Sequence, residues 1–425
     1  MPAKSRLRSI LAGSAGNLVE WYDWYVYSAF SLYFAPIFFP SGDRASELLG
    51  AAAVFAVGFL MRPLGGWMMG IYADRRGRKA GLTLSVLLMC LGSLLIACTP
   101  GHATIGVASP TLLVVARLLQ GLSVGGEYGA SATYLSEVAT RGHRGFWSSL
   151  LPVTLIAGQL VALSVLVLLQ LVLDKEALAT WGWRIPFAIG GVLAVLVFWL
   201  RRGLIETSSF ETVQKQGTEH KSSALLLVKK HPREAAVVVG LTAGGTLAFY
   251  TFTTYMQKFL VVTSGFDRVT ASRITAAALF VYMLLQPAVG ALSDRIGRKP
   301  IMIAFGVLGT LFTVPILTVL ARTHDALVAF GLVVAGLAIV TGYTSVNAIV
   351  KAELFPAEIR ALGVALPFAI ANTVFGGTAE YAALWFKTRG LERGFFWYVA
   401  GAIAVSLVVY VRMRDTRDHS RIVED

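Results

Sequence analysis

The sequence predicts an all-α membrane protein of twelve transmembrane helices, arranged as two six-helix halves related by pseudo-two-fold symmetry. Three observations point there. Mean hydropathy is +0.67, with 56% hydrophobic and 14% charged residues over 425 positions, whereas soluble domains carry about a quarter charged residues. Apolar runs of about 20 residues, the length that crosses a bilayer, recur along the whole chain. A charged motif, GIYADRRGRK at 70–79, returns as GALSDRIGRK at 290–299, and self-similarity at so large a period means two homologous halves.

The runs place spans at 10–38, 47–72, 81–99, 110–137, 147–172, 185–201, 233–261, 270–292, 300–321, 326–352, 360–387 and 394–412. The polar stretch 203–232 separates the first six from the last six. It reads as a cytoplasmic linker with short amphipathic helices lying on the membrane, and divides the chain into bundles at 1–202 and 233–425. The net charge of +13 sits in alternate connections, among them Arg75 to Lys79, Arg141 and Arg144, Arg295 to Lys299 and Arg412 to Arg417. That positive-inside pattern puts both termini in the cytoplasm and leaves no separate basic domain for nucleic acid. The first apolar run is too long for a cleavable signal. No P-loop, HExxH or CxxC occurs, so no ATP chemistry, metal or other cofactor is expected. Cys90 and Cys98, about 12 Å apart along one helix, are too distant to bridge.

The first span, SAGNLVEWYDWYVYSAF at 14–30, is the one the others must answer. Glu20 and Asp23 lie roughly 15 to 20 Å into the membrane at about 1.5 Å per residue, where an acid costs about 2.5–3.5 kcal/mol and marks an ion or proton route. The second span carries Arg62 some 18 Å from the charged run at Asp74, too deep to snorkel easily. The fourth, ARLLQGLSVGGEYGASATYLSE, holds Arg117 and Glu127. Gly121, Gly125 and Gly129 give it a small-residue face for close helix approach. Arg117 is the natural partner of Asp23, since a buried pair is tolerable where a lone charge is not. In the fifth span Gln159 either bonds a neighbouring helix or lines the pathway.

The seventh span sets Tyr250, Thr251, Thr254, Tyr255 and Lys258 on one polar stripe, and Lys258 reads most simply as an interfacial anchor, with substrate contact as its other role. Gln286, Asn347, Lys351, Asn372 and Glu380 are fewer and weaker polar signals than those of the first half. Proton chemistry is therefore expected in the first half, from Asp23, Glu20, Arg117 and Glu127, and substrate contacts from both, through Arg62, Arg117, Gln159, Tyr250, Tyr255, Lys258, Asn347 and Asn372. The repeated charged motifs, with Asp74, Arg78, Asp294 and Arg298, and the second repeated pair YLSEVATRGHRG and KAELFPAEIRALG, with Glu137 and Glu353, are expected to clamp the cytoplasmic side. There the aspartates accept from helix N-terminal amides or pair with arginines of the neighbouring connection.

Two halves with D-R-x-G-R-K after the second and eighth spans resemble the major facilitator superfamily. More narrowly, SAGNLVEWYDWYVYS, GFLMRPLGGW, ARLLQGLSVGGEYGASATYLSEVA, WGWRIPFA, FYTFTTYMQKFL and KAELFPAEIRALGVAL resemble its metabolite/proton symporter family. The resemblance implies proton-coupled import of a small dicarboxylate across the bacterial inner membrane by a functional monomer, with alpha-ketoglutarate the foremost substrate and citrate, succinate or shikimate-like anions the alternatives. It also implies that Asp23, Arg117 and Gln159 match the proton-carrying acid, its arginine partner and a substrate-facing glutamine of sugar/proton symporters, a pattern that lacks Glu20 and Arg62. An organic-anion exchanger would use the same arginines without needing the acids. A sensor would need a soluble signalling domain, for which neither 203–232 nor the C-terminal tail is long enough.

Overall fold

The computed structural model describes residues 3–76, 78–125, 132, 136, 142–202, 227, 229–356 and 359–422. Six long helices form the first half: α1 (Ala3–Phe38), α2 (Arg44–Arg76), α3 (Arg78–Cys98), α4 (Ala108–Val124), α5 (Leu150–Val172) and α6 (Ile185–Arg202). The second half holds α7 (Pro232–Phe252), α8 (Arg268–Ile296), α9 (Arg298–Leu320), α10 (Ala326–Thr344), α11 (Arg360–Ala371) and α12 (Glu392–Arg412). Among the described residues, eight helical segments are long and apolar enough to cross a membrane, with shorter apolar stretches at Leu87–Cys98 and Ala108–Val124. Helix is the form expected, because a chain in lipid must satisfy its amides within its own segment.

The expected small-residue face of α4 is where α2 lies closest. A Cβ at Gly121 would stand 2.1 Å from the carbonyl oxygen of Gly58, and one at Gly125 2.1 Å from that of Arg62, so only glycine lets these backbones meet. Gly129 falls outside the described residues. The same device joins α5 to α1, where a Cβ at Gly158 would meet the Leu18 carbonyl at 2.6 Å.

Among the described residues, three second-half spans expected to be continuous are broken, and in the first half the fifth is interrupted near its start at Ser149. α7 stops at Phe252 and resumes as Met256–Val262, and α10 stops at Thr344 and resumes as Asn347–Glu353. α11 passes through a π-helical stretch, Asn372–Gly376, before continuing as Ala379–Thr388. Threonine and serine hydroxyls compete for the backbone at these points: Thr253 Oγ1 donates to the Phe249 carbonyl at 2.7 Å and Ser345 Oγ to that of Thr341 at 2.7 Å. Wider amide bonds complete the breaks, Tyr255 N to Tyr250 O at 2.9 Å and Gly377 N to Asn372 O at 2.8 Å.

At the end of the bundle bearing the basic connections, the halves meet through the short helix Arg144–Ser148. Its Gly145 and Phe146 amides donate to the Asp294 carboxylate at 2.7 and 2.9 Å, and Arg298 Nη1 donates to the same carboxylate at 2.8 Å. Arg298 Nη2 stands 3.6 Å from Glu353. Asp294 thus accepts from helix N-terminal amides, while its arginine is Arg298 of its own motif, four residues on, and not one from the neighbouring connection. The chain after α12 folds back under this end. Asp415 accepts from the first amides of α9, Arg298 N and Lys299 N, at 3.2 Å each, Thr416 donates to Glu353 at 2.6 Å, and Arg421 reaches Glu234 at 3.1 Å. Arg144 Nη1 donates to the Ile422 carbonyl at 3.4 Å.

The opposite end is closed as well. Gln170 Nε2 on α5 donates to Tyr33 at 2.8 Å and to Ser272 on α8 at 3.2 Å, and Tyr25 on α1 donates to the Thr253 carbonyl at 3.3 Å. Between the two ends, Thr373 of the π stretch donates to the Phe59 carbonyl of α2 at 2.9 Å.

Candidate transport site

Between the two closed ends, α1 contributes an aromatic row. Trp21, Trp24 and Tyr27 follow at helical spacing: Trp24 meets Phe55 and Phe59 of α2 at 5.4 and 4.9 Å between ring centres, Tyr27 meets Phe55 at 6.0 Å, and Trp21 meets Phe249 of α7 at 6.3 Å. Both predicted arginines lie on this surface. The Arg62 guanidinium carbon is 4.0 Å from the centre of Phe59 and 4.3 Å from that of Trp24, and the Arg117 carbon is 3.8 Å from the same Trp24 ring and 4.6 Å from Tyr27. Ring faces stabilise such cations by about 0.5–2 kcal/mol each. Yet with 5% and 0% exposure, Nε and Nη2 of both arginines have no hydrogen-bond partner among the described residues. An unmade bond at a buried charged donor costs about 1–3 kcal/mol or more, so four such atoms on one aromatic wall mark a place built to meet an anion.

Tyr250 joins this wall from α7, its ring 5.4 Å from Phe59 and its hydroxyl buried beside Arg62 and Asn372. Asn372 lies beside it, since a Cβ at Gly376 would touch Asn372 Oδ1 at 2.6 Å and Tyr250 Cε2 at 2.7 Å. A π stretch carrying such a residue is common at functional sites. Gln159 is buried where α5 crosses α1, with neither amide atom hydrogen-bonded among the described residues.

Asp23 and Arg117 are brought together, but not as the direct pair expected. Gln120, one turn beyond Arg117, stands between them: Arg117 Nη1 donates to Gln120 Oε1 at 2.7 Å, and Gln120 Nε2 donates to Asp23 Oδ2. Ser93 of α3 donates to Asp23 Oδ1 and also accepts from Gln120 at 3.0 Å. The amide has one acceptor and one donor end, so it satisfies guanidinium and carboxylate at once without letting them touch. Neither Gln120 nor Ser93 was singled out from the sequence, although an amide at i+3 from a buried arginine shares its helix face. Gly190 of α6 leaves room for the carboxylate, as a Cβ there would lie 2.5 Å from Asp23 Oδ1. Glu20 is buried one turn earlier on α1.

Two expectations for the second half are corrected. Lys258 is 0% exposed, not an interfacial anchor: its Nζ pairs with Glu380 at 2.7 Å and donates to Ser28 of α1 at 2.6 Å. The second half therefore holds a full ion pair at membrane depth and is not the weaker in buried charge. The stripe on the seventh span is also divided, because the break after Phe252 turns Tyr255 away from Tyr250 and onto Phe259 and Phe395, 6.0 and 5.9 Å between ring centres. Asn347 accepts from Lys351 Nζ at 2.8 Å, and Lys351 sits 3.8 Å over the Phe368 ring. Glu127 and Glu137 lie outside the described residues, as do the side chains of Asp74 and Arg78, which belong to α2 and α3.

Known proteins share this sequence pattern and fold. A family model described as "Sugar (and other) transporter" matches residues 9–234, and one described as "Major Facilitator Superfamily" matches residues 247–424. The chain is 56% identical over 406 residues to the alpha-ketoglutarate permease of Escherichia coli (strain K12), covering 96% of this chain and 93% of that one. It is 33% identical to the citrate-proton symporter of Salmonella typhi, covering 97% and 96%. Its fold matches that of the xylose transporter XylE from E. coli in a partially occluded inward open conformation, with a TM-score of 0.73 over 96% and 97% of the two chains at 18% identity. With family models matching residues 9–234 and 247–424, and transporter relatives aligned over nearly their full length, the chain belongs to the major facilitator superfamily.

Proposed function

We propose that this protein is a proton-coupled symporter that imports a small dicarboxylate, alpha-ketoglutarate in the first instance, across the bacterial inner membrane, with its basic end and both termini in the cytoplasm. The observation that carries the reading is the pair of buried arginines on one aromatic wall, each with two hydrogen-bond donors that meet no partner among the described residues. A dicarboxylate supplies two planar acceptors that guanidinium forks meet bidentately. The similarity to an alpha-ketoglutarate permease at 56% identity supports that substrate over citrate, succinate or shikimate-like anions.

The coupling follows from Gln120. With Asp23 ionised, Gln120 Nε2 is held by the carboxylate and its Oε1 holds Arg117 Nη1. A proton arriving on Asp23 turns that oxygen from an acceptor into a donor, so the Gln120 amide loses its anchor and Arg117 is released toward substrate. Loading both cancels charge in the site and lets the bundles 1–202 and 233–425 rock about it, joined by 203–232, as repeat-built carriers do. Asp294, Arg298 and Glu353, with Asp74, Arg78 and Glu137 as their counterparts, form the cytoplasmic clamp that opens in that motion. A dianion entering with one proton remains negative, and an inside-negative potential opposes it by about 2.3 kcal/mol per charge per 100 mV. One proton therefore relies on the pH gradient, whereas more than two would draw on the potential.

The test is uptake of labelled alpha-ketoglutarate by proteoliposomes under an imposed pH gradient, in competition with a panel of organic acids. Accumulation that follows the gradient and yields first to unlabelled alpha-ketoglutarate is the expected result. Uptake indifferent to the gradient identifies an exchanger, and stronger competition by citrate reassigns the substrate.

A further inference from the structure

Lys258 and Glu380 form the most enclosed ion pair described, and the coupling scheme has no use for it. Both belong to the second half, Lys258 to the resumed part of α7 and Glu380 to the segment Ala379–Thr388 after the π stretch. Their bond is 2.7 Å, with 0% and 3% side-chain exposure. The third member comes from the other half: Ser28 of α1 accepts from Lys258 Nζ at 2.6 Å and donates to Glu380 Oε2 at 2.9 Å. Nearby, the Tyr25 hydroxyl reaches the Thr253 carbonyl. Ser28 stands five residues beyond Asp23, about 7.5 Å along the same helix, toward the end opposite the basic connections.

We propose that Lys258, Glu380 and Ser28 are the outer catch of the transport cycle. The catch closes when α7 and α11 bring the ion pair onto the Ser28 hydroxyl, and opens when that hydroxyl leaves. The division of partners is what makes it reversible. Separating buried opposite charges leaves each uncompensated in a low-dielectric interior, so a salt bridge between the halves would hold them shut. Here the charges remain together on one half, and only a neutral group crosses the seam, yet it crosses with two charge-assisted bonds, the stronger kind. Because Ser28 and Asp23 share one rigid helix, a shift of α1 as Gln120 lets go of Asp23 also moves Ser28 against the pair. The inference rests on the symporter reading and adds to it the residues that close the outer side.

The experiment uses the full chain with Cys90 and Cys98 replaced by alanine and a single Thr254→Cys reporter, beside the catch. In right-side-out vesicles, its labelling rate by a membrane-impermeant maleimide measures outward opening. Ser28→Ala removes both bonds and is expected to label at least about tenfold faster, since one charge-assisted bond alone is worth about that factor. Ser28→Thr, which keeps the hydroxyl, should label as the parent does. The double variant Lys258→Met with Glu380→Leu, which keeps bulk without charge, should label like Ser28→Ala. Parental labelling in Ser28→Ala, fast labelling in Ser28→Thr, or parental labelling in the double variant each overturns the proposal. Exchange of preloaded alpha-ketoglutarate is followed in the same vesicles, so that loss of the catch and failure of the transport reading give different results.

Discussion

Replacing Arg62 by lysine isolates what a guanidinium fork contributes to anion binding. In the structure its carbon lies against Phe59 and Trp24 at 4.0 and 4.3 Å, with Nε and Nη2 hydrogen-bonded to no group among the described residues. Two parallel bonds to one carboxylate are therefore open to it, each worth about 1.5–3 kcal/mol when charge-assisted. An ammonium at the same place keeps the charge but offers no fork and no flat face to the rings. Losing one of the two bonds weakens binding roughly 10- to 100-fold, at about 1.4 kcal/mol per tenfold. Equilibrium binding of radiolabelled alpha-ketoglutarate to purified Arg62→Lys measures it, alongside a melting curve that shows the variant folded. A Kd equal to that of the parent in a folded variant would remove Arg62 from the site and refute the reasoning.

Asp23→Asn keeps an acceptor for Ser93 but cannot take up a proton; gradient-driven accumulation is expected to vanish while exchange of preloaded substrate persists, and uptake and counterflow assays separate the two. Gly125→Ala places a Cβ 2.1 Å from the Arg62 carbonyl and 2.5 Å from the Gly66 nitrogen. Backbone cannot yield as a side chain would, so thermal unfolding should show a loss of about 1–3 kcal/mol, with uptake reduced because Arg62 moves. Asp267 caps α8 from the exposed loop before it, accepting from Val269 N and Thr270 N at 2.9 and 3.0 Å. The Thr270 side chain first, and these amides with it, hold its carboxyl below the ordinary value. A lowered folded-state pKa gives stability that is present above the unfolded value of about 3.9 and is lost as pH falls through the folded one. Asp267→Ala should thus cost a few tenths to about 1 kcal/mol at neutral pH, a penalty that shrinks on acidification; melting temperature against pH reads it, and a constant penalty would count against the capping account.

The positions of the spans were legible because lipid imposes one length and one polarity on each. The glycine face of α4 was legible too, since four-residue spacing fixes which residues meet a neighbour, as Gly121 and Gly125 do α2. What sequence could not convey was the partner across space. Arg117 and Asp23 were each readable as buried charges, but that Gln120 stands between them depends on rotamers and on the distance between α1 and α4. Lys258 and Glu380 sit on different spans, and their pairing follows from breaks in α7 and α11 that a uniform apolar run conceals. Those breaks coincide with a hydroxyl-to-carbonyl bond at Thr253 and with the Gly376–Gly377 pair, signals too small to register in a 20-residue average.

The returning chain end beneath α9 has a mechanical consequence. Its grip on the second half runs through Asp415, Thr416 and Arg421, with bonds from 2.6 to 3.2 Å, whereas its tie to Arg144 is 3.4 Å long. When the clamp parts, the longer tie yields first and the tail rides with the second half like a pointer fixed to one leaf of a hinge. A dye attached near His419 would then swing away from one on the Arg144–Ser148 helix once per cycle, and turnover becomes visible as a fluctuating distance.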